Sequence, residues 1–221
     1  MNPKTDADRL FETWMLASGY TDFEYEPDLG DGTAPDYRVR ADGVPVLCEV
    51  KGFAPPDPTP GFSYVDFRAP IREKVNAAQK QFRRFRGTPC VLVLANGAFI
   101  DQPKEMVQVM FGDFELIIPV RLGPVVEKLP PIELRFGPGG KMRQGLSDRP
   151  QNTTISAILA LWYPLRDLLG AIVYENPAAR IPLPRYVFAG PYDLRYGETD
   201  EGYWGLVSCG RLLPPDSVPE V

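Results

Sequence analysis

Apolar positions first recur at helical spacing near the N-terminus. Leu10, Phe11, Trp14, Met15 and Ser18 share one face of a predicted helix over 6–18, which Thr5 or Asp6 can cap and Gly19 can stop. Residues 22–28 (DFEYEPD) alternate with a period of two, Phe23 and Tyr25 on one side, and predict a strand. Residues 30–34 (GDGTA) form a loop. Two alternating runs follow, 36–41 and 44–51, joined by Asp42-Gly43. That dipeptide favours a two-residue hairpin turn, because both of its positions tolerate positive φ. The proline-rich stretch 54–61 is a loop. A second helix is predicted over 70–86, with Ile71, Val75, Ala78, Phe82 and Phe85 as its buried stripe and Gly87 as its end. The short apolar run 90–95 (CVLVLA) predicts a buried strand. Beyond it the pattern is weaker. Segments 114–120, 132–136, 155–162, 171–174 and 186–188 are strand candidates, and 155–162 suits a helix nearly as well. The sequence GPGGK at 137–141 lacks the spacing of a phosphate loop and reads as a plain loop.

Composition narrows the chemistry. Prolines make up 25 of the 221 residues, about twice the usual share of about 5%; being scattered, they indicate turns and sheet edges rather than disorder. There are no histidines, which removes Ser-His-Asp and Cys-His catalysis and His-ligated metal chemistry. The three cysteines, Cys48, Cys90 and Cys209, lie far apart with no CxxC pair, so neither a zinc site nor a disulfide scaffold is expected. The N-terminal residues carry charge where a secretory leader is apolar. The longest apolar run, 155–163, is too short to span a bilayer. A soluble, cytoplasmic protein with no membrane partner is expected.

The hairpin carries the candidate chemistry. In the two-residue register Ala41 faces Val44, Arg40 faces Pro45, Val39 faces Val46, Arg38 faces Leu47, Tyr37 faces Cys48 and Asp36 faces Glu49. Pro45, which has no N–H, then falls at a non-hydrogen-bonded pair. Asp36 and Glu49 fall at the same kind of pair, with Cβ atoms roughly 4.5–5.5 Å apart. Two like charges so placed repel, unless one carboxyl holds a proton or a cation sits between them. Oxygen ligands without His or Cys favour a hard ion, Mg²⁺ or Mn²⁺. Lys51, two residues past Glu49, projects from the same face and is suited to orienting a water or stabilising an oxyanion. Cys48 points the other way, as a core thiol.

Pro35-Asp36 followed by Glu49-Val50-Lys51 resembles the motif of the PD-(D/E)XK nuclease superfamily, and the order helix, three strands, helix, strand also matches. The resemblance covers about residues 6–96. It implies a mixed α/β, restriction-endonuclease-like central sheet flanked by helices, with 1–96 as the nuclease core. Residues 97–221 would supply a β-rich extension completing or extending the same domain. It further implies metal ligation by Asp36, Glu49 and the carbonyl of Val50, with Lys51 acting on the attacking water and cleavage leaving a 5′ phosphate. Several branches, archaeal Holliday-junction resolvases among them, add a Glu from the first helix, matched here by Glu12. Many carry Gln on the second helix, matched by Gln81, with Lys74 on the same flank. Restriction, repair and anti-phage defence all use this superfamily.

Charge distribution adds a partner. Residues 68–86 hold seven basic side chains against Glu73 alone, a net of +6, whereas 1–36 hold two basic and nine acidic ones, a net of −7. Lys74, Lys80, Arg83 and Arg84 are therefore expected to contact a nucleic-acid backbone, DNA before RNA. Because the whole chain carries a net charge of −5, a second subunit or partner protein is expected to contribute affinity. The expected function is metal-dependent phosphodiester hydrolysis in DNA; the alternative is a catalytically silent binding or interaction module that keeps the fold.

Overall fold

A computed structural model describes residues 3–30, 34–53, 66, 68–96, 100–117, 133–137, 139–144, 149–165, 168–190, 193–201 and 204–209. The chain is a mixed α/β protein. Its elements are α1 (Asp6–Ala17), β1 (Phe23–Tyr25), β2 (Tyr37–Ala41), β3 (Val44–Gly52), α2 (Arg68–Phe82), β4 (Cys90–Ala95), α3 (Pro103–Phe111), β5 (Phe114–Ile117), β6 (Glu133–Phe136), β7 (Arg143–Gln144), β8 (Arg149–Pro150), β9 (Ala157–Leu165), β10 (Leu168–Glu175), β11 (Leu194–Glu198) and β12 (Trp204–Cys209). Eight strands form one sheet in the order β1-β2-β3-β4-β9-β10-β11-β12. Pairing is parallel at β3/β4, β4/β9 and β10/β11 and antiparallel elsewhere in that sheet.

Alternation along the strands splits the core into two layers. On one face Tyr37, Val39, Val46, Cys48, Val50, Val91 and Val93 pack against Phe11, Trp14 and Met15 of α1. On the other, Leu47, Leu92 and Leu94 pack against Ile71, Val75, Ala78 and Phe82 of α2 and Met106, Val109 and Met110 of α3. β4 is buried along its whole length, as a strand with helices on both sides requires. Thr5 is the N-cap of α1 and forms a reciprocal capping box with Asp8. α1 approaches β3 closely: a Cβ on Gly52 would lie 3.0 Å from Ala7 Cβ. Any larger residue at 52 would push the start of α1 away from the strand.

The hairpin forms with the expected register, from Tyr37/Cys48 to Ala41/Val44. Asp42 and Gly43 both take positive φ, 50° and 81°, the geometry that a two-residue turn demands. Elsewhere the structure corrects several expectations. The strand expected over 22–28 is confined to Phe23–Tyr25, because Glu26 turns the chain at φ 47°. α2 starts at Arg68, whose N–H is accepted by Asp66, and ends at Phe82 rather than running to 86. The run expected over 155–162 is a strand from Ala157 onward, part of β9, and not a helix. Residues 186–188 form a turn instead of a strand. Phe188 adopts φ 56° and its ring plugs the core against Trp14 and Tyr20, 5.6 and 5.4 Å between centroids. α3, β11 and β12 were not anticipated. The loop expected at 54–61 and the end of the 114–120 strand lie outside the described residues. Among the described residues no helix is long and apolar enough to cross a membrane.

Candidate active site

The carboxyl-terminal end of β3 organises the site. Asp36 stands one step beyond the last paired residues of the hairpin, and its carboxylate accepts a 2.7 Å hydrogen bond from the Val50 N–H. Glu49 is fully buried and faces the α2 side of the sheet. One of its oxygens, Oε1, takes the ammonium of Lys51. The other, Oε2, is buried with no hydrogen-bond partner among the described residues. Burial, and after it the charge of Asp36, pushes the Glu49 carboxyl up to about 7, against the opposing pull of Lys51 and of Gln81 from α2. Burial likewise raises Asp36, against the Val50 N–H and Lys51. The hairpin thus brings two carboxyls together in a setting that resists two negative charges.

Lys51 and Asp36 open onto a cleft of about 770 Å³ outside the ends of β3 and β4. Thr5 and Asp8 of α1, Tyr25, Glu26 and Asn96 also line it. Glu26 and Asn96 hold left-handed φ of 47° and 58°, a conformation uncommon for residues other than glycine and concentrated at functional sites. Lys74 of α2 lies 4.6 Å from the Phe53 ring centroid. Burial, then the nearby charge of Lys51, lowers its affinity for the proton.

Asp36, Glu49, Val50, Lys51 and Gln81 therefore meet, with Lys74 on the same flank. Glu12 does not join them. Its carboxylate pairs with Lys4 and accepts a 3.0 Å bond from the Tyr37 hydroxyl. The acid that α1 turns toward Asp36 is Asp8, one turn earlier; it lines the same cleft, and its charge raises Asp36. Asp8 also accepts from the Thr5 N–H and hydroxyl, 2.8 and 2.6 Å, so its only signal in the sequence is a capping role. Lys80, Arg83 and Arg84 are exposed, and none of them lines the cleft. The Cys48 and Cys90 thiols are buried; burial drives Cys48 well up and Cys90 to about 12, so neither is a nucleophile. Among the described residues no group of three His, Cys, Asp or Glu side chains is placed to hold a metal ion, which leaves two carboxylates and backbone oxygens as the donor set. Comparison with protein-family models, curated proteins and solved structures finds no match to this chain.

Proposed function

We propose that this chain is a metal-dependent nuclease of the PD-(D/E)XK type that hydrolyses phosphodiester bonds in DNA, on a restriction-endonuclease-like arrangement of α1, β1–β3, α2 and β4. The observation that carries the reading is Glu49 Oε2, a buried carboxylate oxygen with no hydrogen-bond partner among the described residues, on a carboxyl that feels the charge of Asp36. Leaving such an atom unsatisfied is costly unless a proton or a cation meets it. The donors suit a hard ion: Asp36, Glu49 and the Val50 carbonyl would hold Mg²⁺ or Mn²⁺. When bound, the ion would offset phosphate charge and make a coordinated water more acidic.

The protein's own groups have distinct tasks. The Val50 N–H fixes the Asp36 carboxylate on the cleft side of the hairpin. Gln81 steadies the charged form of Glu49 from across the sheet face. Lys51, tethered to Glu49 and lining the cleft, holds a positive charge where an attacking water and a phosphate oxygen would lie. Lys74 adds a second cation behind it.

The test is a cleavage panel with Mg²⁺ and with Mn²⁺ over linear, supercoiled, single-stranded and branched DNA, and RNA. The expected result is cleavage of DNA that is lost in Asp36→Ala, Glu49→Ala and Lys51→Ala, each retaining the wild-type circular dichroism spectrum. Wild-type rates in both carboxylate variants would remove the activity from this site. One observation favours a silent binding module as the second reading: Lys51 is engaged with Glu49, and among the described residues no third acidic side chain joins the pair to make a group that could hold a metal ion. Such a module would bind nucleic acid equally well with divalent ions chelated, and would cut nothing in the panel.

A further inference from the structure

The flank of α2 opposite the carboxylates borders a second cavity, of about 510 Å³. Its helix side is a polar stripe, Asn76, Gln79, Arg83 and Arg86, spaced i, i+3, i+7 and i+10. Asn76 and Gln79, three apart, share one side of α2, while Lys74 and Gln81 take the other; Arg83 and Arg86 lie beyond the helix end at Phe82 and line the same cavity. The segment 150–154 and Arg180 close the far side. Three guanidinium groups, of Arg83, Arg86 and Arg180, thus line one concavity to which the described residues contribute no carboxylate. All three arginines are exposed. They contrast with Arg68 and Arg72 of α2, which are paired with Asp113.

Clustered cations repel one another. One tetrahedral anion relieves this: its oxygens accept from several guanidinium forks at once. The geometry points to a phosphate-binding site at this cavity, taking a phosphate monoester or diphosphate group through Arg83, Arg86 and Arg180. The site does not rest on the nuclease reading, since it shares no residue with the carboxylate cleft. Its volume falls in the range of small-ligand sites, roughly 300–1,000 Å³, so a nucleotide-sized molecule fits.

The test is calorimetric titration of the full chain with inorganic pyrophosphate, with EDTA present so that no divalent ion contributes. Wild-type protein is expected to bind, and Asp36→Asn to bind equally. Arg83→Gln with Arg180→Gln is expected to weaken binding at least about tenfold, the loss of one charged hydrogen bond or more. Both arginines are exposed, and circular dichroism checks that the fold is intact. A charge-matched control, Lys80→Gln with Arg84→Gln, removes two cations from α2 and the turn that follows it, outside the cavity, and is expected to change affinity less than threefold. Arg86→Gln alone gives a second reading of the site. No binding by the wild type, or equal weakening in the charge-matched control, would overturn the assignment. A 5′-phosphorylated oligonucleotide, the same oligonucleotide without its phosphate, and a free nucleoside diphosphate then identify which molecule carries the group. Competition with pyrophosphate by either phosphorylated form supports the site, and equal competition by the unphosphorylated oligonucleotide counts against it.

Discussion

Glu49 illustrates how one residue couples stability to chemistry. Its carboxyl is fully buried and is raised from 4.5 to about 7, chiefly by burial and then by Asp36. In the unfolded chain it ionises near its ordinary value, so between about 4.5 and about 7 the folded state holds the proton and the unfolded state does not. The contribution to stability is therefore complete below about 4.5 and is lost as pH rises through about 7, by about 3 kcal/mol in all. With divalent ions chelated, wild-type protein is expected to lose stability over that window relative to Glu49→Gln, measured by urea unfolding at a series of pH values. A difference that does not vary with pH would mean that the carboxyl is not buried as described. Divalent ions should reverse the loss. Binding only to the folded state adds about 2.7 kcal/mol at a hundredfold excess over the dissociation constant, so Mg²⁺ or Mn²⁺ should raise the melting temperature at pH 8. Asp36→Asn should blunt that rise, and a wild-type melting temperature unmoved by millimolar ions would argue against a cation at the pair. The Asp36–Glu49 pairing was legible in the sequence because Asp42-Gly43 fixes the register. Asp8 was not, because its place at the cleft comes from packing α1 over Gly52, a contact that no local pattern encodes.

At the level of elements, α2 is the part of the molecule that divides tasks. Its apolar stripe Ile71, Val75, Ala78 and Phe82 was plain from periodicity and is buried. The remaining positions split around the helix and the turn that ends it: Lys74 and Gln81 toward the carboxylates, Arg83 toward the second cavity, Lys80 and Arg84 exposed. A charge count alone cannot separate these directions. Each phosphate contact on duplex DNA contributes about −0.9 to the slope of log affinity against log salt. Changing Lys80, Arg83 and Arg84 together to Ala should flatten that slope by roughly one to three units, measured with Ca²⁺ replacing Mg²⁺ to prevent cleavage. Affinity and slope both held at wild-type values would show these positions to be simply solvated. Other elements were hidden for physical reasons. α3 spans only Pro103–Phe111, about two and a half turns at about 3.6 residues per turn, too short for periodicity to stand out. Phe188 lies in an apolar run, yet it serves as a turn residue whose ring fills a space under α1. β11 and β12 are held to the sheet partly by stacked Tyr174, Tyr196 and Trp204, contacts between distant parts of the chain.

On the scale of the whole molecule, the strands that hold the carboxylates are not the end of the sheet. β9 lies parallel to β4, pairing Val91–Leu94 with Ala157–Ala160, and β10, β11 and β12 continue outward from it. α1 also depends on this second half. Trp14 donates its indole N–H to Asp193 at 3.2 Å, and Asp193 in turn accepts from Ala171 and Gly190. A fragment ending at residue 96 would lose the strand beside β4, leaving Val91, Leu92, Val93 and Leu94 along an open apolar edge. It would also lose the aromatic plug over Trp14 and the partner of its indole. An exposed, apolar edge strand is a template for aggregation, and the fragment lacks the buried residues of β9 and β10 that complete both core layers. Residues 1–96 alone are therefore expected to be insoluble or to lack a cooperative melting transition, although they carry Asp36, Glu49, Lys51 and Gln81. Size-exclusion chromatography and thermal circular dichroism of that fragment beside the full chain would decide the point. A soluble, cooperatively melting fragment with wild-type metal response would show instead that β9–β12 are accessory to the site, and that the two halves of the sheet fold separately.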